Sequence, residues 1–227
     1  MKQFISAISV LLAVVYAGQA QAVTFAESSD AGDNLSTAQV IPSGTFSLSS
    51  ISGNLFENDA DLFQIFLTGS QTFSATTKNA QTDQIPIDNL LGIPTKLVAD
   101  PQLFLFDSAG RGVYANDDSF GSLQATLSSS VFSPIEAGIY YLAVSSSGYN
   151  PVSNGTRIFP DALSSEVLPS NSSFVLTDFV GTSTTNGRYE IALSGAKAVP
   201  EPTSILGILS LSAWGIVRLM KNKIKQK

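Results

Sequence analysis

The chain of 227 residues contains neither cysteine nor histidine. Without cysteine, no disulfide can stabilise the fold, so a packed core or a bound metal must do so. The absence of both residue types excludes Ser-His and Cys-His nucleophilic sites and removes the usual ligands of zinc. An enzyme built on this chain would therefore have to use carboxylates.

Charged residues are also scarce, at 13% of the chain, whereas an ordinary soluble domain has about 25%. Six of the twelve Lys and Arg residues lie at position 2 or in the last ten positions. The other six share the middle of the chain with 17 acidic residues, which gives that part a net charge of about −11. An acidic domain repels nucleic acid and attracts cations, although plain solubility explains the charge equally well.

The N-terminal residues 1–22 have the three parts of a secretory signal peptide. Lys2 supplies the positive start, residues 4–16 form an apolar stretch, and Ala20 and Ala22 are the small residues that a signal peptidase accepts. We expect cleavage after Ala22. The alternative is an uncleaved anchor.

The C-terminal residues 198–227 combine a proline-rich motif, an apolar run and a basic tail. The motif at 199–204 reads VPEPTS, and the apolar run at 205–217 precedes the basic tail at 218–227. The run would form a helix of about 20 Å, short for a bilayer core of about 30 Å, and it lengthens to about 205–220 if Arg218 snorkels. A core helix is the alternative to a membrane span. The basic tail favours the cytoplasmic side, which would place the acidic domain outside.

This order of motif, short helix and basic end resembles the PEP-CTERM sorting signal. The resemblance implies that exosortase, a membrane cysteine protease, removes the tail and passes the protein to the cell surface in Gram-negative bacteria, cyanobacteria among them. Glu201 is the expected recognition residue, and Pro200 and Pro202 keep the segment extended, so that it can enter a protease cleft. The alternative is a proline-rich linker before a plain anchor.

The middle domain, residues 23–197, shows short β-type runs and no helical periodicity. The run 61–67 places Phe63, Ile65 and Leu67 on one face of a strand. Further strands are predicted at 103–106, 112–115, 139–144, 174–180 and 188–193. The turn at 107–110 and the pair Asn186 and Gly187 indicate hairpins. Eight or nine strands in all predict an antiparallel β-sandwich of jelly-roll type, with loops at 78–99 and 145–172.

Four short motifs in this domain resemble the bacterial pre-peptidase C-terminal domain. They lie at residues 30–39, 58–63, 103–118 and 136–142. The resemblance implies a non-catalytic β-sandwich module, of the kind appended to secreted proteases. Several members of that family bind calcium where an N-terminal acidic segment meets an Asp-rich loop. Because no protease precedes the module here, a role as a protease appendage does not follow.

Two acidic groups match calcium chemistry, which requires six to eight oxygen ligands. The first group lies on a predicted loop and the second precedes the Phe63 strand; their members are Glu27, Asp30, Asp33 and Asn34, and Asn58, Asp59 and Asp61. Each group alone has too few ligands. The family resemblance implies that the two groups meet, with Asn58 and Asp61 matching the ligand positions best. The alternative is that both groups only form turns.

Three other features have competing interpretations. The run Asn116, Asp117 and Asp118 is expected to be a solvated turn, and a second cation site is the alternative. Asp107 with Asp117 or Asp118 would be the carboxylate pair of a hydrolase. Tyrosines could stack on sugar rings, although strand tyrosines are more often part of a core; the candidates are Tyr114, Tyr140, Tyr141 and Tyr149.

The sequence thus predicts a non-catalytic, exported surface or matrix protein, stabilised by calcium and binding extracellular polysaccharide. Its expected partners are exosortase and the membrane during sorting, with no nucleic acid. A purely structural envelope or biofilm-matrix protein without a specific ligand is the first alternative. A carboxylate-based hydrolase is the second.

Overall fold

The computed structural model describes residues 22–41, 46–69, 73–78, 100–119, 121–128, 137–160, 165–184 and 186–199. Within these residues the protein is all-β, with thirteen strands and no helix. No helix in this part of the chain is long and apolar enough to span a membrane. The predicted signal peptide up to residue 21, the sorting motif with Pro200, Glu201 and Pro202, and the predicted span at 205–220 lie outside the described residues.

The all-β prediction is confirmed, and the strands exceed the eight or nine expected because several have only two to four residues. In chain order they are β1 (Val23–Ala26), β2 (Gln39–Val40), β3 (Ser47–Leu55), β4 (Ala60–Leu67), β5 (Ser74–Thr77), β6 (Pro101–Asp107), β7 (Gly112–Asn116), β8 (Thr126–Leu127), β9 (Gly138–Ser146), β10 (Tyr149–Ser153), β11 (Thr156–Arg157), β12 (Asp178–Gly181) and β13 (Gly187–Lys197).

The strands form a ten-stranded sheet and a three-stranded sheet. The main path of the large sheet is β1-β3-β13-β4-β9-β6-β7, with β2 on β4, β5 on β13 and β8 on β5. Pairing is antiparallel except between β1 and β3 and between β2 and β4, which are parallel. The small sheet has the order β11-β10-β12.

Strand β4 shows how the alternating sequence builds the fold. Phe63, Ile65 and Leu67 are fully buried in one apolar cluster, as the sequence predicts. The same cluster receives side chains from β3 and β13, so the large sheet wraps around it. Leu62 points the other way, into a second cluster, because successive strand residues face opposite sides of a sheet.

The second cluster lies between the large sheet and the segment that contains the small one. Phe104 of β6 packs against Phe159 and Phe179 with ring centroids 5.7 and 5.9 Å apart. Phe179 also stacks on Tyr149 at 5.8 Å. Strands β4, β6 and β9 are therefore covered on both faces, which explains why β6 is apolar at consecutive positions.

Two local predictions are wrong. Asn186 and Gly187 do not join a hairpin, because β12 pairs with β10 whereas β13 pairs with β3, β4 and β5. The segment 145–172 is not only a loop, since it contains the end of β9 and the strands β10 and β11. By contrast, the hairpin of β6 and β7 and the strand β9 lie where the sequence predicts them.

Candidate metal centre

The candidate metal centre forms where β1 ends and β4 begins. Strand β1 runs parallel to β3, and the Glu27 N–H donates to the Ser52 carbonyl at 2.8 Å. The chain then passes beside β4, where the Leu62 N–H donates to the Gly32 carbonyl at 3.1 Å. These backbone bonds bring the two acidic segments of the sequence together. One carboxylate oxygen from each of Glu27, Asp30 and Asp61 lies within 4.8 Å of the others.

Asp61 is the most buried of these carboxylates, with no exposed surface. Its position follows from strand alternation, because it lies on the same face of β4 as Phe63. Its Oδ1 accepts a hydrogen bond from the Ala31 N–H at 3.3 Å. Its Oδ2 is buried and makes no well-aligned hydrogen bond among the described residues, although the Tyr189 hydroxyl and the Glu27 carboxylate adjoin the Asp61 carboxyl group. A buried carboxylate oxygen without a donor is costly, and a cation would satisfy it.

Burial, with the negative charges of Glu27 and Asp59 as the next causes, raises the pKa of Asp61 to about 9. Burial likewise raises the pKa of Glu27, partly opposed by hydrogen bonds from the Asn54 and Ala31 backbone and with the Asp61 carboxyl group. The charge of Asp30 adds to the increase at Glu27. Without a cation, the site therefore retains a proton at neutral pH. A divalent ion would replace that proton, because an opposite charge favours the ionised carboxylate.

Glu27 is held in place by two backbone donors. Its Oε1 accepts from the Ala31 N–H at 2.9 Å and its Oε2 accepts from the Asn54 N–H at 3.0 Å. Asp30 is exposed, and its Oδ1 accepts from the Gly32 N–H at 3.0 Å. The site thus has two fixed carboxylates on the protein side and one that faces solvent, through which an ion could enter.

The other four predicted ligands do not belong to this group of three carboxylates. They are Asp33, Asn34, Asn58 and Asp59. The Asn34 Oδ1 accepts from Ser36 and Thr37, which closes a turn. Asn58, with a φ of 53°, exchanges hydrogen bonds with Ser183 through its side chain and its N–H. The turn interpretation therefore describes the Asn34 side-chain oxygen, whereas the Asn58 side-chain oxygen accepts from a residue distant in sequence.

Asp59 and Asp33 act on the site through charge. The Asp59 Oδ2 accepts from the Phe56 N–H at 2.9 Å. Burial raises the pKa of Asp59, and the charges of Asp30 and Asp33 add to that increase. Both residues thus contribute to a negative field around the cluster, which attracts a cation.

Two further residues shape the site and were missed by the sequence analysis. Tyr189 of β13 pairs with Gly53 of β3, and its buried hydroxyl adjoins the two inner carboxylates without forming a well-aligned hydrogen bond. A methyl group at Gly53 would overlap the Glu27 Oε2 and the Tyr189 hydroxyl. The available signal was weak: Tyr189 alternates with the apolar Ile191, but only the pairing of β13 with β3 places it beside Glu27.

The residues of the other hypotheses are also placed. Asp107 and Asp117 lie at opposite ends of the β6–β7 hairpin, since Phe106 pairs with Gly112 and Leu103 with Asn116. That placement does not form the carboxylate pair of a hydrolase. Among the tyrosines considered for sugar stacking, Tyr114 and Tyr149 are buried in the two cores, and Tyr140 and Tyr141 are half-buried.

Comparison with known proteins adds no relative: no protein-family model, curated protein or solved structure matches this chain.

Proposed function

We propose that this chain is a non-catalytic exported module whose β domain is stabilised by a calcium ion held by Glu27, Asp30 and Asp61. The observation that carries the proposal is the buried Asp61 Oδ2, which makes no well-aligned hydrogen bond among the described residues and belongs to a group of three converging carboxylates. Carboxylate oxygens suit calcium, which tolerates irregular geometry and completes its shell with water and carbonyl oxygens.

The sequence supports the rest of this function. The two ends resemble a signal peptide and a PEP-CTERM signal, which would send the acidic domain to the cell surface through exosortase. The two apolar clusters, one inside the large sheet and one beside it, are compatible with an antiparallel jelly-roll sandwich like the pre-peptidase C-terminal domain. Extracellular polysaccharide is the proposed ligand, with a purely structural matrix role as the alternative.

Calorimetric titration of calcium into the full-length protein tests the metal proposal. We expect heat of binding, a rise in melting temperature, and one ion fewer in the Asp61→Asn variant. The matched control is Asp178→Asn, because Asp178 is an exposed carboxylate on β12 outside the cluster. If the wild-type protein showed no binding heat and no change in melting temperature, calcium binding would be refuted.

Cell fractionation with and without exosortase tests the export proposal separately. We expect a shorter protein at the cell surface when exosortase is present and a full-length membrane-bound form when it is absent. An intact chain that is soluble in the cytoplasm in both strains would refute export. Binding of the surface form to the host's own exopolysaccharide then separates the ligand-binding function from the purely structural one.

A further inference from the structure

A second group of carboxylates lies at the same end of the large sheet as the first. Asp100 directly precedes β6, and Asp117 and Asp118 directly follow β7. Because β6 and β7 are antiparallel, with Leu103 opposite Asn116, these two ends meet. One carboxylate oxygen from each of Asp100, Asp117 and Asp118 lies within 4.8 Å of the others.

The two carboxylate groups are separate. Asp61 is level with Val144 of β9, Val144 with Leu103 of β6, and Leu103 with Asn116 of β7. Three strand spacings therefore lie between the first group and the end of β7, a distance of about 14 Å. An ion in one group cannot also be held by the other.

We expected residues 116–118 to form a solvated turn, and the structure contradicts that expectation. Asp117 is only 3% exposed. The Oδ1 atoms of Asp100, Asp117 and Asp118 are all buried and have no hydrogen-bond partner among the described residues. Three carboxylates that converge, each with one buried and unpartnered oxygen, repel one another and lack solvation at those oxygens. A positive ion among them would remove both costs.

The surrounding contacts fix the geometry of the group. The Asn116 Oδ1 accepts from the Thr126 N–H at 2.6 Å, and the Asn116 Nδ2 donates to the Asp118 carbonyl at 2.8 Å. In the turn after β9, the Ser147 N–H donates to the Asp100 carbonyl at 2.8 Å and the Ser147 Oγ donates to the Asp117 Oδ2 at 3.3 Å. The carboxylates are therefore held together by the fold.

We infer that Asp100, Asp117 and Asp118 form a second divalent-cation site, selective for a hard, oxygen-preferring ion such as calcium. Three carboxylates supply three to six ligand oxygens, and water and carbonyl oxygens complete the shell. The ion would fasten the start of β6 to the end of β7. Burial, together with the negative charges of Asp100 and Asp118, raises the pKa of Asp117 to about 7, as expected where negative groups lack a counter-charge.

Counting bound calcium by equilibrium dialysis tests the second site on the full-length protein in a non-ionic detergent. We expect two ions per chain in the wild type, one in Asp117→Asn, one in Asp61→Asn, and none in the double variant. The control Asp178→Asn removes one exposed negative charge and should retain two ions. Asp118→Asn provides a second variant at the same site, and circular dichroism checks that every variant is folded.

The pattern of losses separates the two proposals. One ion in the wild type that is lost only in Asp61→Asn would overturn the second site and leave the first intact. One ion that is lost only in Asp117→Asn would overturn the first site and support the second.

Thermal unfolding then shows whether Asp117 is a calcium ligand or has only a structural role. In calcium-free buffer, Asp117→Asn should melt at the same temperature as the wild type or higher, because it removes a buried negative charge that has no counter-charge. In calcium it should melt at a lower temperature. A lower melting temperature in both buffers, together with two ions still bound, would overturn the proposal, because Asp117 would then act only through its bond to Ser147.

Discussion

Replacing Asp61 by Asn should change the stability of the protein in opposite directions with and without calcium. Without calcium, the folded protein keeps Asp61 protonated up to a pKa of about 9, whereas the unfolded chain releases that proton near 3.8. At pH 7 the difference amounts to about 4 kcal/mol in favour of unfolding. Asn has nearly the same shape and cannot ionise. The variant should therefore be more stable than the wild type at pH 7, by up to about 4 kcal/mol.

The sign depends on pH in a way that can be checked. The pKa of Asp61 is raised in the folded state, so its contribution to stability is fully present below about pH 4. It is lost progressively as the pH rises towards 9. The advantage of Asp61→Asn in calcium-free solution should therefore shrink between pH 7 and pH 4. With saturating calcium at pH 7 the order should reverse, because the variant lacks one ligand of the ion.

Urea unfolding of the two proteins at both pH values, with calcium and after its removal, measures these differences. Asp178→Asn is the control and should behave like the wild type in every condition. The reasoning is refuted if Asp61→Asn is destabilised equally with and without calcium at pH 7. Asp61 would then be an ionised carboxylate whose partners are all in the protein.

The remaining predictions test the surroundings of the site. Gly53→Ala should weaken calcium binding by displacing Glu27. Gly138→Ala should not, because its added methyl would meet no atom of the described residues closer than 3.7 Å. Equal affinities of the two variants in calorimetry would contradict this. Phe63→Ala should lower the free energy of unfolding in urea by about 3–5 kcal/mol, because Phe63 is fully buried. Replacing the exposed Phe56 by Ala should lower it by less than about 0.5 kcal/mol. Similar losses for the two variants would refute the packing assignment. Calcium binding to the first group at pH 7 should release about one proton, mainly from Asp61, so a binding heat that is independent of buffer ionisation would contradict the proton count.

Much of the central sheet could be predicted because its strands carry the signal in their own residues. The alternation of Phe63, Ile65 and Leu67 identifies β4 and its core face without knowledge of its neighbours. The hairpin of β6 and β7 is equally local, since two apolar runs flank one turn. Such patterns depend on the pleat of a single strand, which the sequence contains in full.

The errors arise where pairing partners are distant in sequence. Asn186 and Gly187 have the composition of a hairpin turn, but β13 gains a long antiparallel partner in β3, and β12 gains one in β10. Strand β10 contains Pro151 and several polar residues, so its composition indicates a loop. Its assignment as a strand depends on packing of Phe179 and Tyr149 against β6, which a local pattern does not reveal.

The candidate sites were predicted only as groups of residue types. The sequence indicates that Glu27, Asp30 and Asp61 belong to acidic segments, but not that Asp61 is the buried member. Its alternation with Phe63 is the signal that could have shown this, because both side chains then lie on the core face. Asp117 offers no such signal, and its burial depends on the meeting of β6, β7 and the turn after β9.

The absence of cysteine gives these carboxylates a physical role under the proposed export. A disulfide stabilises a secreted domain by about 2–4 kcal/mol, and this chain has none. An ion that binds only the folded state and is present at 100 times its dissociation constant contributes about 2.7 kcal/mol. It would also remove the cost of the buried carboxylates, which otherwise rises with pH. Ions at both carboxylate groups would therefore give the exported domain a stability gain comparable to that of disulfides, and would give it only where calcium is abundant.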